Sequence, residues 1–254
     1  MRSSIAWLLS LLLLGWMNVG FAQKVYVIGV EDLEYYPQYS HKDGQYIGFA
    51  RELLDAFAKS KGYKFEYKIL PLNRLFLEHL HGSGLDFQYP DNVYWEAQLR
   101  TGVKIYYSKP VMPFIDGVVV LPGNKGRGKK HLQVLGTMTG FTPWNYLDAI
   151  KNKEVTVFEN DSFISLLKQT MLKRVDGAYI NIEVARYQLR EILHQPDALV
   201  FDPDLPHTKD YYYLSSTKHP QVIQEFNEFL VKEKDLYEQS RKKLAIESSI
   251  FDKK

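Results

Sequence analysis

Aromatic and polar side chains that could recognise a ligand gather at four places in this 254-residue chain. Tyr35, Tyr36 and Tyr39 share one short stretch, and Glu31 stands just before it. Rings of this kind stack on a flat ligand or lie against a cation, and a carboxylate beside them can hold a positive charge. The stretch could equally pack on its own domain, with Glu31 capping the loop. Tyr89, Asp91, Asn92, Tyr94 and Trp95 form a second group that suits a polar organic ligand or a cation over an aromatic face. Within it, Pro90-Asp91-Asn92 is also strong turn chemistry. Arg100 follows, either a bidentate clamp for a carboxylate or, more ordinarily for an arginine, a surface residue. Thr137, Thr139, Gly140, Phe141 and Thr142 precede a segment that reads as a helix, with Thr142 as cap and Pro143 in its first turn. Free N–H groups at such a start favour an anion. Asn181 and Glu183 follow a strand end, where cleft contact competes with capping of the next helix.

The chemistry that is missing is equally informative. No Gly-x-Ser-x-Gly, His-Glu-x-x-His or Ser/His/Asp order stands out. His79-x-His81 has chelating spacing only in an extended chain, and it falls at the end of a helical pattern, so no metal site is expected. The basic run Lys125 to Lys130 lacks the phosphate-loop pattern and reads as a solvated loop. A proton-transfer enzyme would need a titratable pair in a cleft, and Glu31, Asp91 and Glu183 are acids without a visible arrangement. The chain has no cysteine, so disulfides, thiolate metal sites and a lipoprotein anchor are excluded. A formal net charge of +2 argues against general capture of nucleic acid. No cofactor is implied.

These residues need a scaffold, and its first instruction is an address. Arg2, an apolar run from Ile5 to Trp16 and the small-x-small tripeptide Gly20-Phe21-Ala22 predict a secretory signal peptide over residues 1–22, cut before Gln23. An uncleaved membrane anchor is the alternative, but the run falls short of the about 20 apolar residues that a span needs. A cysteine-free exported chain fits a bacterial periplasm. From Gln23 onward strand and helix patterns alternate. Val25–Val30 is a buried strand, Phe49–Lys61 a helix with Leu53, Leu54, Phe57 and Ala58 on one face, and Lys64–Leu70 a strand. Leu72–His81 is a helix and Leu85–Tyr89 a third strand, which completes a βαβαβ unit. A second such unit is predicted from strands at Ile115–Leu121, Leu132–Leu135, Glu154–Phe158 and Asp176–Ile180. Its helices fall at Ser162–Lys173 and Glu183–His194. Short strands at Leu199–Phe201 and Tyr211–Ser215 follow, and then a helix from Pro220 to about Lys232 that continues as far as Leu244. Ligands bind beyond the carboxyl ends of the strands in such sheets, which points to the segments after Val30, Tyr89, Leu135 and Ile180.

Val25 to Asp235 resembles the family 3 extracellular solute-binding proteins, the periplasmic components of polar amino-acid uptake systems. The landmarks are Tyr35-Tyr-Pro-Gln-Tyr39, Lys42-Asp-Gly-Gln-Tyr-Ile-Gly-Phe49, Asn73-Arg74, Gly84-Leu-Asp86, Tyr107-Ser-Lys-Pro110 and Arg174-Val-Asp-Gly-Ala-Tyr-Ile180. Their order along the chain carries the resemblance. It implies an α/β, two-lobed, type II periplasmic-binding-protein fold, each lobe a doubly wound, mostly parallel sheet with helices on both faces. The lobes would comprise residues 23–114 together with 206–254, and residues 115–205. It implies a monomer that closes on a small polar organic ligand and delivers it to an inner-membrane ABC permease. A sensor docking on a membrane signalling receptor and a small enzyme on the same scaffold are the alternatives. Two positions depart from the family. Its ammonium-holding Asp is Asn181 here, and Arg100 is one or two residues out of register with its carboxylate-holding Arg. The ligand is therefore expected not to be a simple zwitterionic amino acid held in the usual way. The candidate contacts are Glu31, Tyr35, Tyr36, Tyr89, Asp91, Asn92, Trp95, Arg100, Thr139, Phe141, Thr142, Asn181 and Glu183.

Overall fold

A computed structural model describes residues 23–235 and 238–239. The predicted signal peptide and residues 240–244 of the expected helix continuation lie outside the described residues, and the last helix breaks at Glu233, a turn.

The chain is a two-lobed α/β fold whose strands join in one long, curled sheet. Strand β1 (Lys24–Glu31) lies between β4 (Tyr63–Leu70) and β5 (Phe87–Asp91), all three parallel. Their crossover helices are α1 (Phe49–Lys61) and α2 (Leu72–His81). Helix α1 buries Leu53, Leu54, Phe57 and Ala58, the face its spacing predicts, and Gly62 ends it in the left-handed conformation. Between β1 and α1 a small hairpin, β2 (Ser40–Lys42) with β3 (Gln45–Ile47), turns on Asp43-Gly44. Both turn residues have positive φ, as a tight two-residue connection needs. The second lobe orders β10 (Gly177–Asn181), β8 (Val134–Met138) and β9 (Thr156–Asn160) in parallel. It is faced by α4 (Phe163–Met171), capped by the Ser162 hydroxyl, and by α5 (Ile182–Tyr187). A short helix, α3 (Leu147–Lys151), lies between β8 and β9.

Two long antiparallel strands join the halves. In β7 (Met112–Val120), residues 112–116 pair with β12 (Thr208–Ser216), and residues 116–119 pair with β10. Strand β12 then pairs through Tyr213 and Ser215 with β5, and through Ser215 and Ser216 with β6 (Tyr106–Tyr107). The two-residue β11 (Val200–Phe201) adds to the far end of β7. Helix α6 (Pro220–Lys232) returns to the first lobe, where Phe226 packs on Phe57 with ring centres 5.0 Å apart. Among the described residues no helix is long and apolar enough to cross a membrane.

Three local readings need correction. The third strand is Phe87–Asp91, two residues later than expected, so Tyr89 and Asp91 lie within a strand rather than past its end. Pro90 is tolerated there because the pairing with β1 has already stopped at Gln88 and the β12 ladder shifts register alongside. The predicted helix start at Thr142 is a loop: a single 3₁₀ turn, Trp144–Tyr146, precedes α3, and no side chain caps it. The helix expected over Glu183–His194 keeps its α form only to Tyr187 and widens to a π turn over Gln188–Ile192.

Candidate functional site

The first candidate group is placed by the end of β1 and the loop that follows. Tyr35 and Tyr39 form an isolated bridge and stack 5.0 Å apart. The loop is pinned to the start of α1, whose Phe49 and Ala50 N–H groups donate to the Pro37 and Gln38 carbonyls at 3.1 and 3.0 Å. Gly48, at φ 100°, lets the loop backbone come this close, since a Cβ there would lie 2.9 Å from the Tyr39 Cα. Glu31 is 4% exposed, and its carboxyl accepts the Tyr39 hydroxyl.

Across the cleft, Tyr35 meets Phe141 and Phe163 of the second lobe, ring centres 6.0 and 5.3 Å away. Tyr36 meets Tyr187 at 4.8 Å. Gly140, at φ 83°, approaches Leu72, leaving 3.4 Å from its would-be Cβ to the Leu72 side chain. The lobes are closed on one another, around a cavity of about 60 Å³.

Three acids line that cavity: Glu31 from β1, Asp116 from β7, and Glu96. Asp116 is the register partner of Asn181 on one side and of Thr208 on the other. Its Oδ1 is buried without a hydrogen-bond partner. Burial pushes the Glu31 carboxyl up to about 8; the Tyr39 hydrogen bond draws it down, and the charges of Asp91 and Asp116 push it further up. Burial likewise raises Asp116 to about 7, against the neighbouring Asn181 amide and with the Asp210 charge. Burial also raises the phenols of Tyr35, Tyr39 and Tyr212 well above the ordinary tyrosine range.

Of the residues read from sequence, Glu31, Tyr35, Tyr39, Trp95, Gly140, Phe141 and Thr142 line the cavity. The rest stand elsewhere. Arg100 is neither a surface residue nor a wall of this cavity. Its guanidinium, 8% exposed, meets the fully buried Asp91 through Nη2–Oδ1 at 2.6 Å and Nη1–Oδ2 at 3.2 Å. It also donates to the Tyr107 hydroxyl at 2.6 Å and to the Trp95 carbonyl. Asn92 is buried and donates to the Tyr211 carbonyl, while its side-chain oxygen accepts the Tyr94 N–H as an Asx turn. Tyr89 is buried in the core, and Tyr36 packs outside the cavity.

The expected anion seat is also taken. The Thr139 and Phe141 N–H groups donate to the Asn160 and Met138 carbonyls, and the Thr139 hydroxyl to Asp161. Asn181 is the N-cap of α5: its oxygen accepts the Glu183 and Val184 N–H groups at 3.0 and 3.2 Å, and its Nδ2 donates to the Tyr212 hydroxyl at 3.2 Å. Glu183 pairs with Arg186. His79 is buried against the Ser215 hydroxyl at 3.0 Å while His81 is exposed, so the two do not share a face.

Sequence reasoning missed Asp116, Tyr179, Tyr212, Phe76 and Trp144 on the cavity wall. Asp116 left one signal, an acid that interrupts the apolar strand Ile115-Asp-Gly-Val-Val-Val120. The aromatic residues read simply as core.

No protein-family model and no curated protein sequence matches the chain. Solved structures do. An ancestral arginine-binding protein bound to arginine is similar over 87% of this chain and 98% of its own, at 19% identity and a TM-score of 0.68. A substrate-binding protein of an ABC uptake transporter from Streptococcus pneumoniae, with bound histidine, covers 87% and 92% at 20% identity and 0.67. The ancestral amino-acid-binding protein AncCDT-1, a precursor of cyclohexadienyl dehydratase, covers 87% and 94% at 18% identity and 0.66. The chain shares the two-lobed α/β fold of these binding proteins.

Proposed function

We propose that this protein is an exported solute-binding protein that closes its lobes on a small polar ligand and hands it to an inner-membrane ABC permease. One observation carries the reading. Rings from both lobes meet over a partly open cavity whose wall holds the acids Glu31, Asp116 and Glu96. A mostly apolar, aromatic cavity with few polar anchors suits recognition of a small molecule. The neighbours support it: they are binding proteins, and one serves an ABC uptake transporter. The same reading takes residues 23–114 with 206–254 as one lobe and 115–205 as the other, in keeping with the path of β12 and α6. It also takes the chain as periplasmic, cut before Gln23, and monomeric.

The test is a thermal-shift screen of amino acids, amines, organic acids and sugars, with tryptophan fluorescence recorded alongside. A ligand that binds only the folded state raises its melting temperature. Trp95 and Trp144 both face the cavity, so a bound solute is expected to change their emission as well. If no compound of any class moves either signal, the reading fails. A second reading, a proton-transfer enzyme on the same scaffold, draws on the raised pair Glu31 and Asp116. Recovery of the bound compound chemically unchanged sets it aside.

The adjacent tyrosines separate the cavity wall from the lobe contact. For the solute that the screen finds, Tyr35→Leu is expected to weaken binding about ten-fold, the worth of one ring contact of about 1.4 kcal/mol. Tyr36→Leu, outside the cavity, is expected to change it less than about three-fold. Titration calorimetry of both variants checks this, and equal losses would contradict the placement of the two rings.

A further inference from the structure

We propose that the cleft is built for a small aliphatic amine that carries no carboxylate, with its ammonium held between Glu31 and Asp116. This rests on the solute-binding reading above and names the chemical class of its ligand. The cavity wall holds three acids, Glu31, Asp116 and, at the rim, Glu96, and among the described residues no lysine, arginine or histidine lines it. A zwitterion or an organic acid would have to bring its carboxylate into this acidic space without a cation to receive it, which is costly in a buried site.

The groups that the sequence offered to a carboxylate have other work. The Arg100 guanidinium is consumed by Asp91, Tyr107 and the Trp95 carbonyl. The Thr139 and Phe141 N–H groups are bonded to backbone carbonyls. Asn181 spends its oxygen on the first turn of α5 and its nitrogen on Tyr212.

What the cavity lacks is a donor of positive charge. Among the described residues the Asp116 Oδ1 is buried with no partner, and an unpaired buried carboxylate oxygen asks for a donor. Among the described residues the one hydrogen bond to Glu31 comes from the neutral Tyr39 hydroxyl. An ammonium brings three N–H donors and the missing charge together. The wall around the acids, with Tyr35, Tyr39, Phe76, Trp95, Phe141 and Tyr212, offers the electron-rich faces that a cation favours. Size points the same way. The cavity, partly open and about 60 Å³, has room for a short alkyl amine, at about 10–15 Å³ for each water-sized atom.

The groups facing the two acids fix how binding should depend on pH. Glu31 faces Tyr39, Asp91, Asp116, Tyr35, Tyr46 and Tyr212, and Asp116 faces Asn181, Asp210, Tyr179, Tyr35 and Tyr212. None of these supplies a positive charge. Without a cation, Glu31 therefore keeps its proton near neutrality and Asp116 keeps its own about half of the time, and amine binding should expel protons.

Calorimetry on the full mature chain tests this with matched pairs that differ only by a carboxylate: n-butylamine against norvaline, and 1,4-diaminobutane against ornithine. Each amine is expected to bind at least ten-fold more tightly than its amino acid. Amine affinity is expected to rise at least ten-fold between pH 6 and pH 8, where aliphatic amines remain protonated. Glu31→Gln and Asp116→Asn, each checked by its melting curve, are expected to weaken the amine at least ten-fold and to flatten that pH dependence. If norvaline or ornithine binds as tightly as its amine, or if only a sugar or an organic acid from the screen binds, the amine class is overturned while the solute-binding reading stands. If no probe and no compound of the screen binds, both fall together.

Discussion

Replacing Glu31 by Gln is expected to raise the melting temperature of the ligand-free protein by about ten degrees at pH 8 and to leave it nearly unchanged at pH 5. The Glu31 carboxyl titrates near 8 in the folded chain and near 4.5 when unfolded. Between those values the folded state holds the proton and the unfolded state releases it, so stability falls as pH rises from about 5 to about 8. A shift of this size corresponds to about 3–4 kcal/mol over that range. Glutamine keeps the oxygen that accepts the Tyr39 hydroxyl and carries no charge, so the penalty at high pH vanishes. Asp116 contributes in the same direction, its carboxyl raised to about 7. Melting curves of wild type and Glu31→Gln from pH 5 to 8 check this. Parallel curves for the two proteins would mean that Glu31 is solvated or already paired, and the cavity would lose its unmet charge.

Arg100→Met is expected to destabilise the fold by about 3–5 kcal/mol, because it leaves Asp91 as a fully buried carboxylate without its cation. The double variant Arg100→Met with Asp91→Leu is expected to recover much of that loss, since an apolar pair of similar volume carries no desolvation cost. Urea denaturation of the three proteins measures both numbers. Solute affinity, measured in the stable double variant, is expected to stay within about three-fold of wild type. A single variant that kept its stability but lost binding would return Arg100 to the cleft as a ligand clamp.

The same two positions show how far the sequence could be read. The helices α1 and α6 were legible from apolar spacing, with glycine ending the first and proline opening the second, because those signals are local. The edges of β5 were not, because Pro90 reads as a stop, and only the shift of the β12 ladder beside it reveals why the strand continues. Thr142-Pro143 carries the residues of a helix cap but lacks the helix, a case in which the backbone path after β8 overrides a local preference. Arg100 was found by its type, but its partner Asp91 belonged to another expectation, a ligand contact in a turn. Asp116 was missed because its meaning lies in pairing. Nothing within ten residues of it says that Asn181 stands opposite on one strand and Thr208 on the other.

The double crossing of β7 and β12 has a temporal consequence. Asp116 lies where β7 passes from β12 to β10, and Tyr212 lies on the strand that touches both halves of the sheet. A ladder of backbone hydrogen bonds therefore keeps this floor assembled however far the halves part, whereas Phe141 belongs to a loop that arrives only with its own lobe. A molecule entering an open cleft would find its charge partner already waiting and its aromatic roof still absent. Capture should then proceed as a fast encounter whose rate rises with concentration, followed by a slower, concentration-independent closing step, and escape should be governed by the roof rather than by the floor.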